Sequence, residues 1–290
     1  MKNKINFVVA MLIFGSIGIF VKWIDVPSVQ IVQWRTIIGS AFLLIFFAIT
    51  RKKIDFNGII ANKLPLLISG TAIGSSWAFL FEAYKNTSVG LATIIYYTAP
   101  IMVFVLAPII FKEKITIPQI FAIVSAVFGM ILVNISQVSS SGVSFAVFCA
   151  LMSAVLYAVI MITNKFIKPM CGLTSTMVQL MVAAVVMTIY CTATTGTIIF
   201  VPSMSDFALL LTVGALHTGV AMSLYIGSLQ GLSPQDISIF SYIDPASALI
   251  LAYIFFSESL LWYQFIGAIL IFGGALYAQF KQTKGDINEH

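Results

Sequence analysis

Tyr96-Tyr97-Thr98-Ala99-Pro100 is answered by Ser241-Tyr242-Ile243-Asp244-Pro245, 145 residues further along a chain of 290. The same shift lays Ser88 on Ser233, Phe111 on Phe256, Glu113 on Glu258, Gln119 on Gln264 and Gly129 on Gly274. A constant offset equal to half the length marks an internal duplication. Working outward from the two Pro-bearing stretches, apolar segments fall at 5–24, 27–49, 64–84, 90–111 and 117–135, then at 143–163, 173–195, 206–228, 236–256 and 262–280. Spans of about 20 residues suit membrane helices, whereas barrel strands are about half as long and alternate in polarity.

Composition demands the same solvent. The chain is 60% hydrophobic and only 9% charged, against about 25% charged in soluble domains. A water-facing globule or a soluble enzyme is excluded. The expected fold is an all-α integral membrane protein of ten transmembrane helices in two five-helix repeats, 5–135 and 142–280, with a tail at 281–290. Five is odd, so the second repeat enters the bilayer inverted relative to the first. Inverted repeats place a substrate site at their interface near the midplane.

Basic residues set the orientation. With the N-terminus inside, twelve of the fifteen fall at cytoplasmic ends and loops, two (Lys22 and Lys85) fall outside, and Arg35 lies within a helix. Both termini are expected on the cytoplasmic side of the cell membrane. The net charge of +5 is spread over short loops, so no nucleic-acid partner is expected. Cys149, Cys171 and Cys191 lack metal-ligand spacing and read as packing residues. The first apolar run ends at Lys22-Trp23 without a cleavage pattern and reads as a retained helix.

Within each half the punctuation is distinctive: Tyr-Tyr-Thr-Ala-Pro (96–100), Phe-Lys-Glu-Lys-Ile-Thr (111–116) and Phe-Gly-Met (128–130), then Ser-Tyr-Ile-Asp-Pro (241–245), Phe-Ser-Glu-Ser-Leu (256–260) and Phe-Gly-Gly (272–274). In these stretches the chain resembles the drug/metabolite transporter superfamily, EamA type, over about 5–280. The resemblance implies a carrier of amino acids or other small metabolites, with export favoured over uptake.

Candidate site residues follow from what hydrocarbon forbids. A proline inside a helix strips the carbonyl four residues earlier of its donor: Tyr96 for Pro100, Ser241 for Pro245. Thr93, Tyr97 and Pro100 share one helix face, as do Ser238, Tyr242 and Pro245. The alternative is a packing kink. Arg35, about 12 Å from the outer end of its helix at 1.5 Å per residue, is read as an anchor for a substrate carboxylate or a partner for an acid; the alternative is a snorkelling side chain. Asp244, near the midplane, needs a partner, with Arg35 the expected one, or a proton. Its first-half counterpart is Ala99 and that of His217 is Ala72, so both depart from the repeat. Asp244, His217 and Glu82 are the proton-coupling candidates; for Glu82 an interfacial ion pair with Lys85 is expected.

Trp34, Trp77, Tyr96, Tyr97, Tyr157, Tyr225 and Tyr242 lie deep and need polar partners there. Facing a cavity, such rings stack on planar substrates or hold cations. Trp23, Trp262 and Tyr263 read as interfacial anchors. Glu113 and Glu258 precede helix starts and are assigned structural roles. Gly70 and Gly74, and Gly15 and Gly18, permit close helix approach.

No phosphate loop, H-E-x-x-H or metal-ligand spacing occurs, so no cofactor or metal is expected. The sequence therefore favours a secondary carrier working by alternating access, for apolar or aromatic amino acids or a related metabolite, driven by facilitated diffusion or the proton gradient. A carrier of cationic compounds with Asp244 as counter-charge, and a non-transporting membrane scaffold, stay open. The partners expected are the lipid bilayer and a small-molecule substrate, with the chain a monomer or homodimer.

Overall fold

The computed structural model describes residues 2–112, 116–134, 141–229, 232, 237 and 240–288, and is helical throughout its ordered elements. The first half comprises α1 (Lys2–Trp23), α2 (Ser28–Thr50), a short α3 (Phe56–Ala61), α4 (Lys63–Asn86), α5 (Val89–Tyr96), α6 (Ala99–Phe111) and α7 (Ile117–Asn134). The second half comprises α8 (Ser141–Lys165), α9 (Gly172–Thr195), α10 (Met204–Thr212), a π-helical segment (Val213–Val220), α11 (Ala221–Leu229), α12 (Ile243–Phe256) and α13 (Trp262–Asn288).

Among the described residues, seven helical stretches are long and apolar enough to cross a bilayer, the α5–α6 pair and the α10–π–α11 run each counting as one, and three shorter apolar helices accompany them. Three local features depart from the sequence reading. Residues 56–61 form a helix between α2 and α4, capped where Asp55 Oδ1 accepts the Gly58 N–H at 2.8 Å. The eighth segment carries a π turn. The last helix runs on to Asn288, through most of the expected tail.

The packing obeys the duplication. α7 lies on its own counterpart α13, and α2 on its counterpart α9. α1 packs on α11 and α12, while its counterpart α8 packs on α4 and on α5 and α6. Each half therefore presents the same surface to the other, as an internal two-fold requires. At the α7–α13 contact Ser125 donates from Oγ to the carbonyl of Leu270, its 145-residue counterpart, at 2.6 Å. Small residues bring the axes together: a Cβ added at Gly129 would sit 2.6 Å from the Gly267 carbonyl oxygen, and one at Gly274 would sit 3.0 Å from Ser125. Without a hydrophobic driving force between helices in lipid, such close backbone approach supplies the attraction.

The turns gather into two groups. In one, Lys22 Nζ meets Glu258 Oε1 at 2.6 Å, the Asp25 N–H donates to Asp206 Oδ1 at 3.0 Å, and Lys85 Nζ donates to the carbonyls of Ile24, at 3.0 Å, and Val26. In the other, the Lys168 N–H donates to Asn62 Oδ1 at 2.7 Å and Phe111 stacks on Phe166 at 5.3 Å. Successive long helices thus run in alternate directions.

Candidate functional site

The two prolines act differently from the sequence expectation. Pro100 is not inside a helix: it lies in the first turn of α6, where no intrahelical N–H is required. Pro245 stands likewise in the first turn of α12. The interruption falls just before each, on a tyrosine. Tyr97 has φ −76° and ψ 8°, and Tyr242 has φ −78° and ψ −5°, so residues 145 apart adopt the same loosened turn. At these turns α5 hands over to α6 and the chain enters α12.

One hydrogen bond ties the two turns together. Tyr97 Oη donates to Asp244 Oδ2 at 2.5 Å. Asp244 occupies the first turn of α12, where the positive helix end favours a carboxylate. Its backbone is approached closely by α1, because a Cβ on Gly15 would come within 2.6 Å of the Asp244 carbonyl. The expected Arg35–Asp244 ion pair is not formed: Tyr97 takes the carboxylate instead, and Arg35 is engaged elsewhere.

Arg35 is 4% exposed. Its Nε donates to Thr218 Oγ1 at 2.8 Å, and its guanidinium carbon lies 3.6 Å from the Trp77 ring centroid, with Phe81 at 5.4 Å. The residue partnering Nε comes from the π segment. There Thr218 Oγ1 also donates to the Val213 carbonyl at 3.1 Å, and His217 Nδ1 lies 3.3 Å from the Thr212 carbonyl. Both contacts span five residues, the i→i+5 spacing of the π turn. Glycines let the π segment approach α2, since a Cβ at Gly39 would lie 2.6 Å from Thr218 and one at Gly214 would lie 2.5 Å from Ile38. π turns recur at functional positions.

Around these two charged groups stand tyrosines. Tyr96 stacks on Tyr157 at 4.8 Å with planes 9° apart, and meets Tyr97 edge-on at 5.4 Å. Phe272 of α13 bridges Tyr97 and Tyr242 at 6.2 and 5.9 Å. Tyr225 lies among Phe7 and Phe14 at 5.4 and 6.2 Å. Arg35 is within electrostatic range of Tyr84, Tyr96 and Asp244, and Tyr157 within range of Tyr225, Tyr242 and Asp244.

The hydroxyls of Tyr96, Tyr157, Tyr225 and Tyr242 have no hydrogen-bond partner among the described residues, yet none is a sealed, unsatisfied atom. All four residues are half-buried, as are Tyr97 and Asp244. The terminal nitrogens of Arg35 are in the same position: Nε alone has an acceptor, and Nη1 and Nη2 are not sealed. A polar atom left both unpartnered and sealed is costly, and none of these groups is left in that state.

Other expected site residues are placed outside this group. His217 is fully buried, with Nε2 2.9 Å from Ser16 Oγ and its ring edge-on to Phe20 at 4.8 Å. Trp34 shares a helix with Arg35 but turns away, donating from Nε1 to the Phe200 carbonyl at 3.0 Å. Thr93 is buried against Tyr84, their hydroxyls 3.2 Å apart. Glu82 accepts from Asn86 Nδ2 at 2.9 Å, while Lys85 is spent on the carbonyls of Ile24 and Val26; the expected Glu82–Lys85 pair gives way to these. Glu258 has the structural role assigned to it, bound by Lys22 and by the Gly90 N–H at 3.3 Å. Ser238, Ser233 and Glu113 lie outside the described residues.

Thr218 and Phe272 were not legible as site residues. The one available signal for Thr218 was the glycine spacing around it, Gly214 and Gly219, which nothing in the sequence ties to Gly39.

Comparison with known proteins agrees with this architecture. The EamA-like transporter family matches residues 3–135 and again 140–278. An uncharacterized transporter of Bacillus subtilis, YxxF, is 28% identical over 301 aligned positions, covering 98% of this chain and 91% of that protein. Solute carrier family 35 member G1 of Mus musculus is 28% identical over 127 residues, 43% of this chain and 34% of that one. A solved crystal structure shares the fold with a TM-score of 0.65 over 96% of this chain and 97% of the other, at 16% identity. With two matched repeats spanning nearly its whole length, this multi-pass membrane protein belongs to the EamA-like transporter family.

Proposed function

We propose that this transporter is a secondary carrier of small zwitterionic metabolites, apolar and aromatic amino acids foremost, exported across the cell membrane by alternating access. The observation that carries the reading is the state of Arg35: a buried guanidinium, oriented by Thr218 and Trp77, whose two terminal nitrogens are not sealed and have no acceptor among the described residues. Such a fork matches a carboxylate bidentately. Substrate carboxylate docks on Arg35, while an apolar or aromatic side chain lies against the Tyr96–Tyr157 stack and Phe272.

Asp244 supplies the coupling. A charged carboxylate at a membrane helix centre costs about 2.5–3.5 kcal/mol on insertion scales, and here Tyr97 and the α12 N-terminus compensate it. When the halves rock apart that bond is released, and Asp244 takes up a proton. The end rich in Lys and Arg faces the cytoplasm, so the turns joined by Lys22–Glu258 close the outer side.

The test is flux of labelled phenylalanine in vesicles of stated orientation, with Arg35→Gln and Asp244→Asn beside the parent. Loss of flux in Arg35→Gln and loss of its pH-gradient dependence in Asp244→Asn are expected; unchanged transport in both removes the reading. The cation-carrier alternative is supported by Asp244 Oδ1, which has no donor among the described residues. It requires quaternary ammonium binding that survives Arg35→Gln and is lost in Asp244→Asn.

A further inference from the structure

On the lipid-facing side of the bundle, α2, α4 and α9 border a groove of about 520 Å³ lined by apolar side chains. Leu44 and Leu67 form its flanks, α9 from Met177 to Val186 its floor, and Phe56 and Ile59 of α3 its end wall. Nine residue steps along α9 span about 14 Å at 1.5 Å per residue, which is about half the 30 Å hydrocarbon thickness. The groove is thus the depth of a single leaflet.

Its charged end is built by the turn after α2. Arg51, in the left-handed region with φ 51°, begins an exposed Arg51-Lys52-Lys53 run, and exposed Lys63 opens α4 on the other side of α3. Among the described residues none of these four has a carboxylate partner. The acid in this turn, Asp55, has its Oδ1 accepting the Gly58 N–H at 2.8 Å. Lys52 Nζ lies back over the Phe46 ring, 5.6 Å from its centroid, and Phe46 packs in the cluster that contains the groove residue Met177. Ile54 and Phe56, which follow this basic run directly in the chain, line the groove.

We infer that this groove and its basic rim form a binding site for an acidic glycerophospholipid, with an acyl chain in the slot and the headgroup phosphate among Arg51, Lys52, Lys53 and Lys63. A neutral lipid would leave the rim without a counter-charge. A second copy of the chain would bring the same basic rim against itself across a two-fold, juxtaposing like charges. Juxtamembrane basic clusters recruit anionic lipids for this reason; the leaflet-deep slot beside this one gives it a defined occupant.

Native mass spectrometry of the full chain in detergent, with phosphatidylglycerol and phosphatidylcholine of identical acyl chains in equal amounts, tests the site. At least tenfold preferential retention of phosphatidylglycerol is expected. Arg51→Gln/Lys52→Gln/Lys53→Gln abolishes the preference, Lys52→Arg/Lys53→Arg keeps it, and Val185→Trp, which fills the slot, lowers phosphatidylglycerol retention. Circular dichroism melting confirms that each variant is folded. Equal retention of the two lipids, an unaltered preference in the triple variant, unaltered retention in Val185→Trp, displacement by inorganic phosphate alone, or a lipid-free dimer mass would each overturn the assignment.

Discussion

Tyr97 of the first half and Asp244 of the second are joined by a 2.5 Å hydrogen bond between two backbone turns that are themselves counterparts. The two-fold that relates the halves would pair Tyr242 with Ala99 in the same way, and alanine offers no acceptor. The bond forms once, on one side of the two-fold. A symmetric scaffold thereby acquires one polarised contact, made by a carboxylate where the repeat has a methyl group.

Tyr97→Phe tests that contact. The ring and its packing on Tyr96 and Phe272 are kept, and a hydrogen bond to a charged group worth about 1.5–3 kcal/mol is lost. Phenylalanine flux in vesicles should lose its dependence on an imposed pH gradient, with binding of the substrate in detergent changed by less than about threefold, the equivalent of roughly 0.6 kcal/mol.

Thr218→Val keeps the shape against Gly39 and removes the acceptor of Arg35 Nε. The guanidinium is then held by Trp77 and Phe81 alone. Apparent affinity for the carboxylate substrate should fall by roughly tenfold or more, the equivalent of about 1.5 kcal/mol, while maximal flux changes less. A flux series over substrate concentration separates the two.

Glu258→Gln breaks the ion pair with Lys22, whose side chains are 23% and 15% exposed, and weakens the contact with the Gly90 N–H. A partly exposed pair contributes up to about 1 kcal/mol. Hydrogen–deuterium exchange at residues 22–26 and 88–92 should accelerate up to about fivefold, with exchange at the α7–α13 contact unchanged.

Gly129→Ala, on the α7–α13 contact, and Gly273→Ala, on the exposed face of α13 away from it, form a matched pair. The added methyl at 129 meets the Gly267 carbonyl oxygen at 2.6 Å and Ile271 at 2.7 Å, while at 273 it meets nothing within 4 Å. Overpacking costs about 1–3 kcal/mol, so thermal unfolding in detergent should shift downward by several degrees for Gly129→Ala and stay near the parent for Gly273→Ala.

The architecture was readable because hydrocarbon tolerates few solutions. Long apolar spans must be helices, and a duplication of half the length with odd helix number must invert. Arg35, Trp77, Tyr97, Tyr242 and Asp244 stood out in the sequence as candidates because a polar group at that depth needs a reason. What escaped was partnership. Arg35 and Asp244 were the obvious opposite charges, yet Arg35 was claimed by Thr218, 183 residues away, through a π turn with no periodicity of its own. Pro100 and Pro245 marked the right places one turn late, since a proline that starts a helix and one that kinks it read alike in sequence. His217 drew attention as a rare group in an apolar segment, and the structure places it against Ser16 and Phe20, fully buried.

The central claim is that Arg35 presents an open guanidinium to a substrate carboxylate. Isothermal titration of the detergent-purified chain with phenylalanine and with phenylalanine amide tests it directly. The parent should bind the acid at least tenfold more tightly than the amide, and Arg35→Gln should bind both equally; equal binding of acid and amide by the parent would contradict the account.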